Sequence, residues 1–223
     1  MTVELPEMPA RIARLRRDAR GYPVPWFVEW FKAGERVERE EPGAEPDFRY
    51  ADLSFRWRGF HNGRCWICGD HLGTHKVYAI GPLCVINRVT SEPASHRECA
   101  EFAARACPFL VRPRQKRNKK GLDDDAQAPG IMIDRNPGCV CLYETPLARA
   151  FSVGPGQGWL IRLDEPTRID WWAEGRQATR AEIEASIESG FPLLMEMAEE
   201  QGPAAIAELM KMSVDAMCYL PAA

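Results

Sequence analysis

Two short ligand pairs, Cys65-Trp66-Ile67-Cys68 and His96-Arg97-Glu98-Cys99, each have a two-residue gap. No other feature of the chain constrains its fold as tightly. Three thiolates and one imidazole so arranged suit a single tetrahedral zinc ion. The spacing therefore predicts structural Zn2+ held by Cys65, Cys68, His96 and Cys99 in a metal-stapled module at the middle of the protein. Four protein ligands leave no position for water, which argues for structure and against catalysis at the metal; no catalytic residue is assigned. A ligating His96 should donate its second ring nitrogen to a carbonyl or carboxylate. Cys84 is the alternative fourth ligand. Cys107 lies about 12 Å beyond Cys99 along a helix rising ~1.5 Å per residue, too far for the same ion.

The surrounding residues fill in the module. Cys65 to Gly69 reads as a knuckle, a tight turn whose backbone N–H groups face the thiolates. Lys76 to Ile80 and Cys84 to Val89 are β-prone runs separated by Gly81-Pro82, which predicts a hairpin. Ser95 with Glu98 three residues on reads as a capping box opening a helix over 95–107. That helix would carry Cys99, Phe102, Ala103 and Ala106 on its inner side, with Pro108 closing it. Knuckle, hairpin and ligand-bearing helix follow one another as in a treble-clef zinc finger, which the stretch 65–108 resembles.

Outside the module the patterns are those of an α+β protein. Ala10 to Ala19 reads as a short helix, ended by Gly21-Tyr22-Pro23-Val24-Pro25. Pro25 suits the first position of a second helix, in which Trp26 and Trp30, like Phe27 and Phe31, are spaced four apart and Gly34 is the C-cap. An acidic linker over 35–47 should be exposed. Residues 51–60 fit either a helix face or an alternating strand, with helix preferred, ending near Asn62-Gly63. After 130 the runs are strand-like: 130–133, 139–144, 148–153, 159–163 and 168–172. Helices then follow over 181–189, capped by Thr179 and Glu182 and closed by Gly190, and over 191–201 and 203–219. The expected organisation is thus an N-terminal helical segment and linker (1–47), the treble-clef zinc module (48–111), a charged loop (112–129) and a C-terminal strand-then-helix region (130–223).

Composition narrows the functional classes. With 29 basic and 32 acidic residues the net charge is −3, so no global field favours nucleic acid or membrane, and any electrostatic contact must be local. No stretch approaches the ~18 apolar residues of a membrane span, and no signal-peptide pattern precedes the eight cysteines. A cytoplasmic protein is the expectation, with Cys84, Cys107, Cys139, Cys141 and Cys218 as buried thiols. The local charge is Arg112, Arg114, Lys116, Arg117, Lys119 and Lys120, followed by Asp123, Asp124 and Asp125. Six cations directly after the module's helix could neutralise several phosphates, so this loop is the candidate nucleic-acid contact. Trp26, Trp30, Trp171 and Trp172 are the candidate partner-binding aromatics; on a strand Trp171 and Trp172 face opposite ways, which would expose one of them. His71 and His75, beside Asp70, invite comparison with HNH nucleases, but there a second His or Asn on the helix serves the catalytic metal, and here His96 is committed to zinc.

Four segments carry a wider resemblance: Gly21-Tyr22-Pro23-Val24-Pro25-Trp26-Phe27-Val28, Cys65 to Gly69, Ile80-Gly81-Pro82-Leu83-Cys84, and Ser95 to Ala100, with Trp171-Trp172-Ala173-Glu174-Gly175-Arg176 further on. Together they are similar to a group of bacterial and phage-encoded proteins. That resemblance implies a phage or mobile-element accessory role and no particular chemistry. The expected function is a zinc-stabilised, non-enzymatic binding protein contacting nucleic acid through its basic loop. Its alternative is a protein-interaction module that inhibits a host factor, and a third reading is an HNH-like nuclease.

Overall fold

The computed structural model describes residues 5–112, 116, 118, 120, 137–154 and 158–222, with the side chain of Leu53 left out. In chain order the elements are α1 (Ala10–Ala13), β1 (Val28–Lys32), β2 (Glu35–Val37), β3 (Glu45–Ala51), α2 (Leu53–His61), β4 (Val77–Ile80), α3 (Pro82–Asn87), β5 (Val89–Thr90), α4 (Arg97–Ala106), α5 (Pro108–Val111), β6 (Val140–Glu144), β7 (Ala148–Ser152), β8 (Trp159–Leu163), β9 (Arg168–Ala173), β10 (Arg176–Gln177), α6 (Arg180–Gln201) and α7 (Pro203–Met217). Helices and sheets are both present, as expected of an α+β protein. No helix among the described residues is long and apolar enough to cross a membrane.

Three antiparallel sheets organise these elements, in the orders β2-β1-β3, β10-β9-β6-β4 and β5-β8-β7. The four-stranded sheet is central. Strand β6 is buried along its whole length because both of its faces are covered. Val140 and Leu142 on one face pack with Val77 of β4 and with Ala100 and Ala104 of α4. Cys139, Cys141 and Tyr143 on the other join Ile161, Leu163, Ile183 and Leu194 in the largest core. Side chains two apart on a strand share a face, and the two cysteines do so as core thiols. The pairings β4 with β6 and β5 with β8 cross the boundary expected at 112–129.

Several elements differ from the sequence reading, each for an identifiable reason. The first helix is a single turn, Ala10–Ala13, because Asp18 then closes a loop: its carboxylate accepts from the backbone N–H of Arg20 at 3.0 Å and of Tyr22 at 2.8 Å. Residues 28–32 form strand β1 instead of a helix. Val28 and Trp30 are buried and alternate with half-buried neighbours. Ala33 (φ 53°) and Gly34 (φ 88°) form a two-residue hairpin turn whose left-handed backbone suits the twist of the strands, so Gly34 is a turn residue and not a C-cap. The presumed acidic linker supplies β2 and β3 of the same sheet.

Residues 53–61 are helical, with Asp52 as N-cap accepting from the Ser54 N–H. The hairpin after Ile80 does not form. Gly81-Pro82 opens α3, with Pro82 where its missing N–H costs nothing, and β4 pairs with the distant β6. Ser95 does not cap α4 either: its backbone is bonded both ways to Val77, at 2.7 and 3.0 Å, and His96 occupies the N-cap position. In the C-terminal region Thr179 and Glu182 form the expected capping box, but α6 runs unbroken through Gly190 and Pro192 to Gln201. Gly190 is there for contact: a Cβ would lie 2.9 Å from Cδ1 of Leu83 on α3. The strand expected at 130–133 lies outside the described residues.

Candidate metal centre

Cys65, Cys68, His96 and Cys99 come together from the knuckle and the first turn of α4. Their three sulfurs and one imidazole nitrogen all lie within 4.8 Å of one another, so they could hold a metal ion. The Nδ1 atom of His96 is 3.4 Å from the Cys68 sulfur and 3.9 Å from that of Cys99. Cys84 is not in the cluster; it packs against the main core, and burial pushes its thiol up to about 11.

The knuckle is shaped by backbone bonds. The Gly69 N–H donates to the Cys65 carbonyl at 2.9 Å, and the Cys65 N–H to that of Asp70 at 2.8 Å. The N–H groups of Cys68 and His96 both point at the Cys65 sulfur, at 3.4 Å each. Gly69 (φ 79°) is required twice over, because a Cβ there would also lie 2.7 Å from the Trp26 ring. Hydrogen bonds from the Cys68 and Cys99 side chains hold the Cys65 thiol far below its ordinary range, and the same bonds to Cys65, helped by burial, raise the other two, Cys68 to about 11. A cation bound here would stabilise all three as thiolates and would release protons as it binds.

The surroundings orient the ligands. His96 Nε2 donates to the His71 carbonyl at 2.9 Å, which leaves Nδ1 with its lone pair toward the sulfurs. Arg11 of α1 reaches Asp70 at 2.8 Å and Glu98 at 3.0 Å, and Arg14 joins it on Asp70. Burial alone would raise the Asp70 carboxyl; the two guanidinium groups overcome it and hold it below its ordinary value. Arg97, next to the ligand His96, bonds Glu144 of β6 and, at 2.6 Å, Asp170 of β9. His75 Nδ1 lies 2.6 Å from the other oxygen of Glu144. His71, His75, His96 and Arg97 line one cavity of about 440 Å³. No sequence signal announces this network: beyond Glu101 one helical turn away, Arg97 is separated from its two partners on the sheet by 47 and 73 positions.

The other expected site residues are distributed differently. Arg112, Lys116 and Lys120 are exposed, and Arg49 of β3 donates to the Lys120 carbonyl at 2.7 Å. Arg114, Arg117 and Lys119 lie outside the described residues. Trp30 and Trp171 are core side chains, 3% and 4% exposed, and Trp171 Nε1 donates to the Tyr219 carbonyl. Trp26 lies half-buried against Gly69 and Phe55, and Trp172 is half-buried on the α4 side of the central sheet, so neither of the paired tryptophans is exposed. The exposed tryptophan is Trp57 of α2, and the exposed thiol is Cys218. Compared with protein families, curated proteins and solved structures, the chain finds no match.

Proposed function

We propose that the cluster holds a structural zinc ion in a knuckle-and-helix module of treble-clef type, and that the protein is a non-enzymatic binding protein contacting nucleic acid through the basic segment 112–120. The donor set carries the zinc reading. A tetrahedron with Zn–S near 2.3 Å and Zn–N near 2.1 Å needs sulfur–nitrogen separations of about 3.6 Å. The separations of 3.4 and 3.9 Å at His96 bracket that value. All four donors come from the protein, and the second nitrogen of the imidazole is engaged by a carbonyl, which fits a closed structural site. In place of a treble-clef hairpin, the module here borrows a strand pairing with β6.

The nucleic-acid reading is supported by the exposure of Arg112, Lys116 and Lys120 where the chain leaves α4 and α5. Cations so placed release counterions from phosphates and give salt-dependent binding without sequence preference. A phage or mobile-element accessory role accords with such a protein. The test is fluorescence anisotropy with labelled single- and double-stranded DNA and RNA across a salt series. Binding that weakens steeply with salt, and that weakens again when Lys116, Arg117, Lys119 and Lys120 are neutralised, is expected. Absence of binding at low salt would overturn the reading and leave a protein partner. Magnesium-dependent cleavage lost in His75→Ala would instead establish the nuclease.

A further inference from the structure

The most exposed of the large aromatic side chains among the described residues is not on the basic segment. Trp57 is 52% exposed on the outer side of α2. Leaving so large an apolar ring in water is unfavourable, and this one is held rigidly in place. The His61 ring stacks on it at 3.3 Å between centroids and 20° between planes, and His61 Nδ1 lies 3.3 Å from the Trp57 carbonyl, which fixes the stack. Trp159 of β8 meets Trp57 edge-on at 6.1 Å. Beneath it the buried Arg56 guanidinium lies 3.7 Å from the Trp159 ring centre and donates to the carbonyls of Ser91 and Trp159. The result is a preorganised aromatic cluster whose outermost large ring, Trp57, is half exposed.

The helix that carries the platform is cationic, although Glu92 lies close enough to act on the buried Arg56. Between Leu53 and His61 the helix carries Arg56, Arg58 and His61 and no carboxylate; Asp52 is occupied as the N-cap. Arg58 is exposed and, among the described residues, forms no ion pair; its guanidinium lies over the Trp26 and Phe55 rings. The platform also lies within the reach of one extended oligonucleotide from the proposed phosphate contact. Lys120 is one hydrogen bond from Arg49, and Trp57 follows Arg49 across the end of β3 and one turn of α2. At ~3.4 Å per extended and ~1.5 Å per helical residue, the two α-carbons are at most about 20 Å apart.

We infer that Trp57 is a stacking platform for an unpaired base, flanked by Arg58 as its phosphate contact, so that the nucleic acid bound by this protein is single-stranded. The inference rests on the nucleic-acid reading above and adds the form of the polymer to it. Sequence-tolerant stacking on an aromatic ring beside a cationic track is how proteins hold single strands. A duplex keeps its bases stacked on one another and offers the platform nothing. A folded protein partner would leave the cations beside Trp57 desolvated and unpaired unless it supplied matching carboxylates.

The test uses the full-length zinc-loaded chain with a labelled oligothymidylate and a duplex of equal length, comparing wild type, Trp57→Ala and Trp57→Phe. The alanine variant should lose about tenfold or more in affinity for the oligothymidylate, with its melting temperature and its duplex binding unchanged. The phenylalanine variant, which keeps a ring, should recover most of that loss. Wild-type affinity in the alanine variant would overturn the inference and leave the basic-segment reading standing, as would equal losses on both polymers. No binding of either polymer by the wild-type chain would overturn both.

Discussion

Replacing Arg97 by Met tests whether the ligand helix is held to the central sheet by charge. The substitution keeps most of the aliphatic stem and removes the guanidinium. Glu144, with a side chain 9% exposed, then loses the two Arg97 donors to its Oε2, and Asp170, 23% exposed, loses one of two arginines. Breaking a buried pair from one side costs about 3–5 kcal/mol, because the remaining charge is stranded. Two contacts soften that here: His75 stays 2.6 Å from Glu144, and Arg168 stays 3.0 Å from Asp170. A loss of about 2–4 kcal/mol is therefore expected, or roughly 4–16 °C in melting temperature for a chain of this size. The control is Arg180→Met, whose partner Glu184 is 42% exposed and whose loss should cost under ~1 kcal/mol. Urea unfolding followed by circular dichroism at neutral pH measures both. Adding Glu144→Gln to Arg97→Met should restore at least ~1 kcal/mol, since an amide strands no charge. If Arg97→Met proves no costlier than Arg180→Met, the pairing is not what anchors α4.

Two further substitutions probe the C-terminal helices. Gly190→Ala should gain ~0.5–1 kcal/mol of helix propensity, yet its Cβ would meet three carbons of Leu83 at 2.9–3.2 Å, and overpacking costs about 1–3 kcal/mol. A net loss of about 1 kcal/mol in thermal unfolding is expected; a gain would show that Leu83 simply swings aside. The hydrogen bond from Arg176, then that from the Thr179 N–H, lowers the Glu182 carboxyl to about 2. A lowered carboxylate stabilises the fold fully above its unfolded pKa of about 4 and loses that contribution as pH falls toward about 2. Glu182→Gln, which can still cap but cannot pair with Arg176, should thus cost about 1 kcal/mol at neutral pH and flatten the stability profile between those values; parallel profiles would show that the Arg176 pairing contributes no stability.

What could be read from the sequence was local. The ligand pairs, the box at Thr179 and Glu182 and the strands of the C-terminal region all declare themselves within a few residues. The misreadings have a common physical origin, in that one local pattern serves two structures. A spacing of four, as between Trp26 and Trp30, is one helical turn and also two strand repeats, and the turn at Ala33-Gly34 decides between them. Gly81-Pro82 can turn a hairpin or open a helix, and the absence of a strand partner beside β4 within 84–89 decides that. Gly190 resembles a stop, but packing against Leu83 requires a residue without a side chain inside the helix. Ser95 has the chemistry of a cap, and its backbone is taken by Val77 instead. The Arg97 network and the Trp57 platform were beyond reach because both are assembled from strands far away in the chain.

The ten residues of α4 are too few for an isolated helix to persist in water, so its stability comes from its two packed faces. One face sets Cys99, Phe102 and Ala106 against the knuckle and Ile12. The other sets only Ala100 and Ala104 against the sheet, a pair of methyl groups contributing ~0.8 kcal/mol each at most. That second face, even with Arg97, cannot hold the helix once the first has opened. Strands β6 and β9, by contrast, are also covered from the opposite side by Ile183, Ile187 and Leu194 of α6. Chelating the proposed zinc ion should therefore unlock the knuckle, α1 and α4 together while the sheet stays folded. Hydrogen exchange followed by mass spectrometry should show backbone amides of 97–106 accelerating by at least about tenfold, with those of 140–144 and 168–173 changed far less. Unchanged exchange in α4 would mean that the metal is not what closes the module. Equal acceleration in α4 and both strands would mean that Arg97, by tying α4 to the sheet, makes them a single cooperative unit.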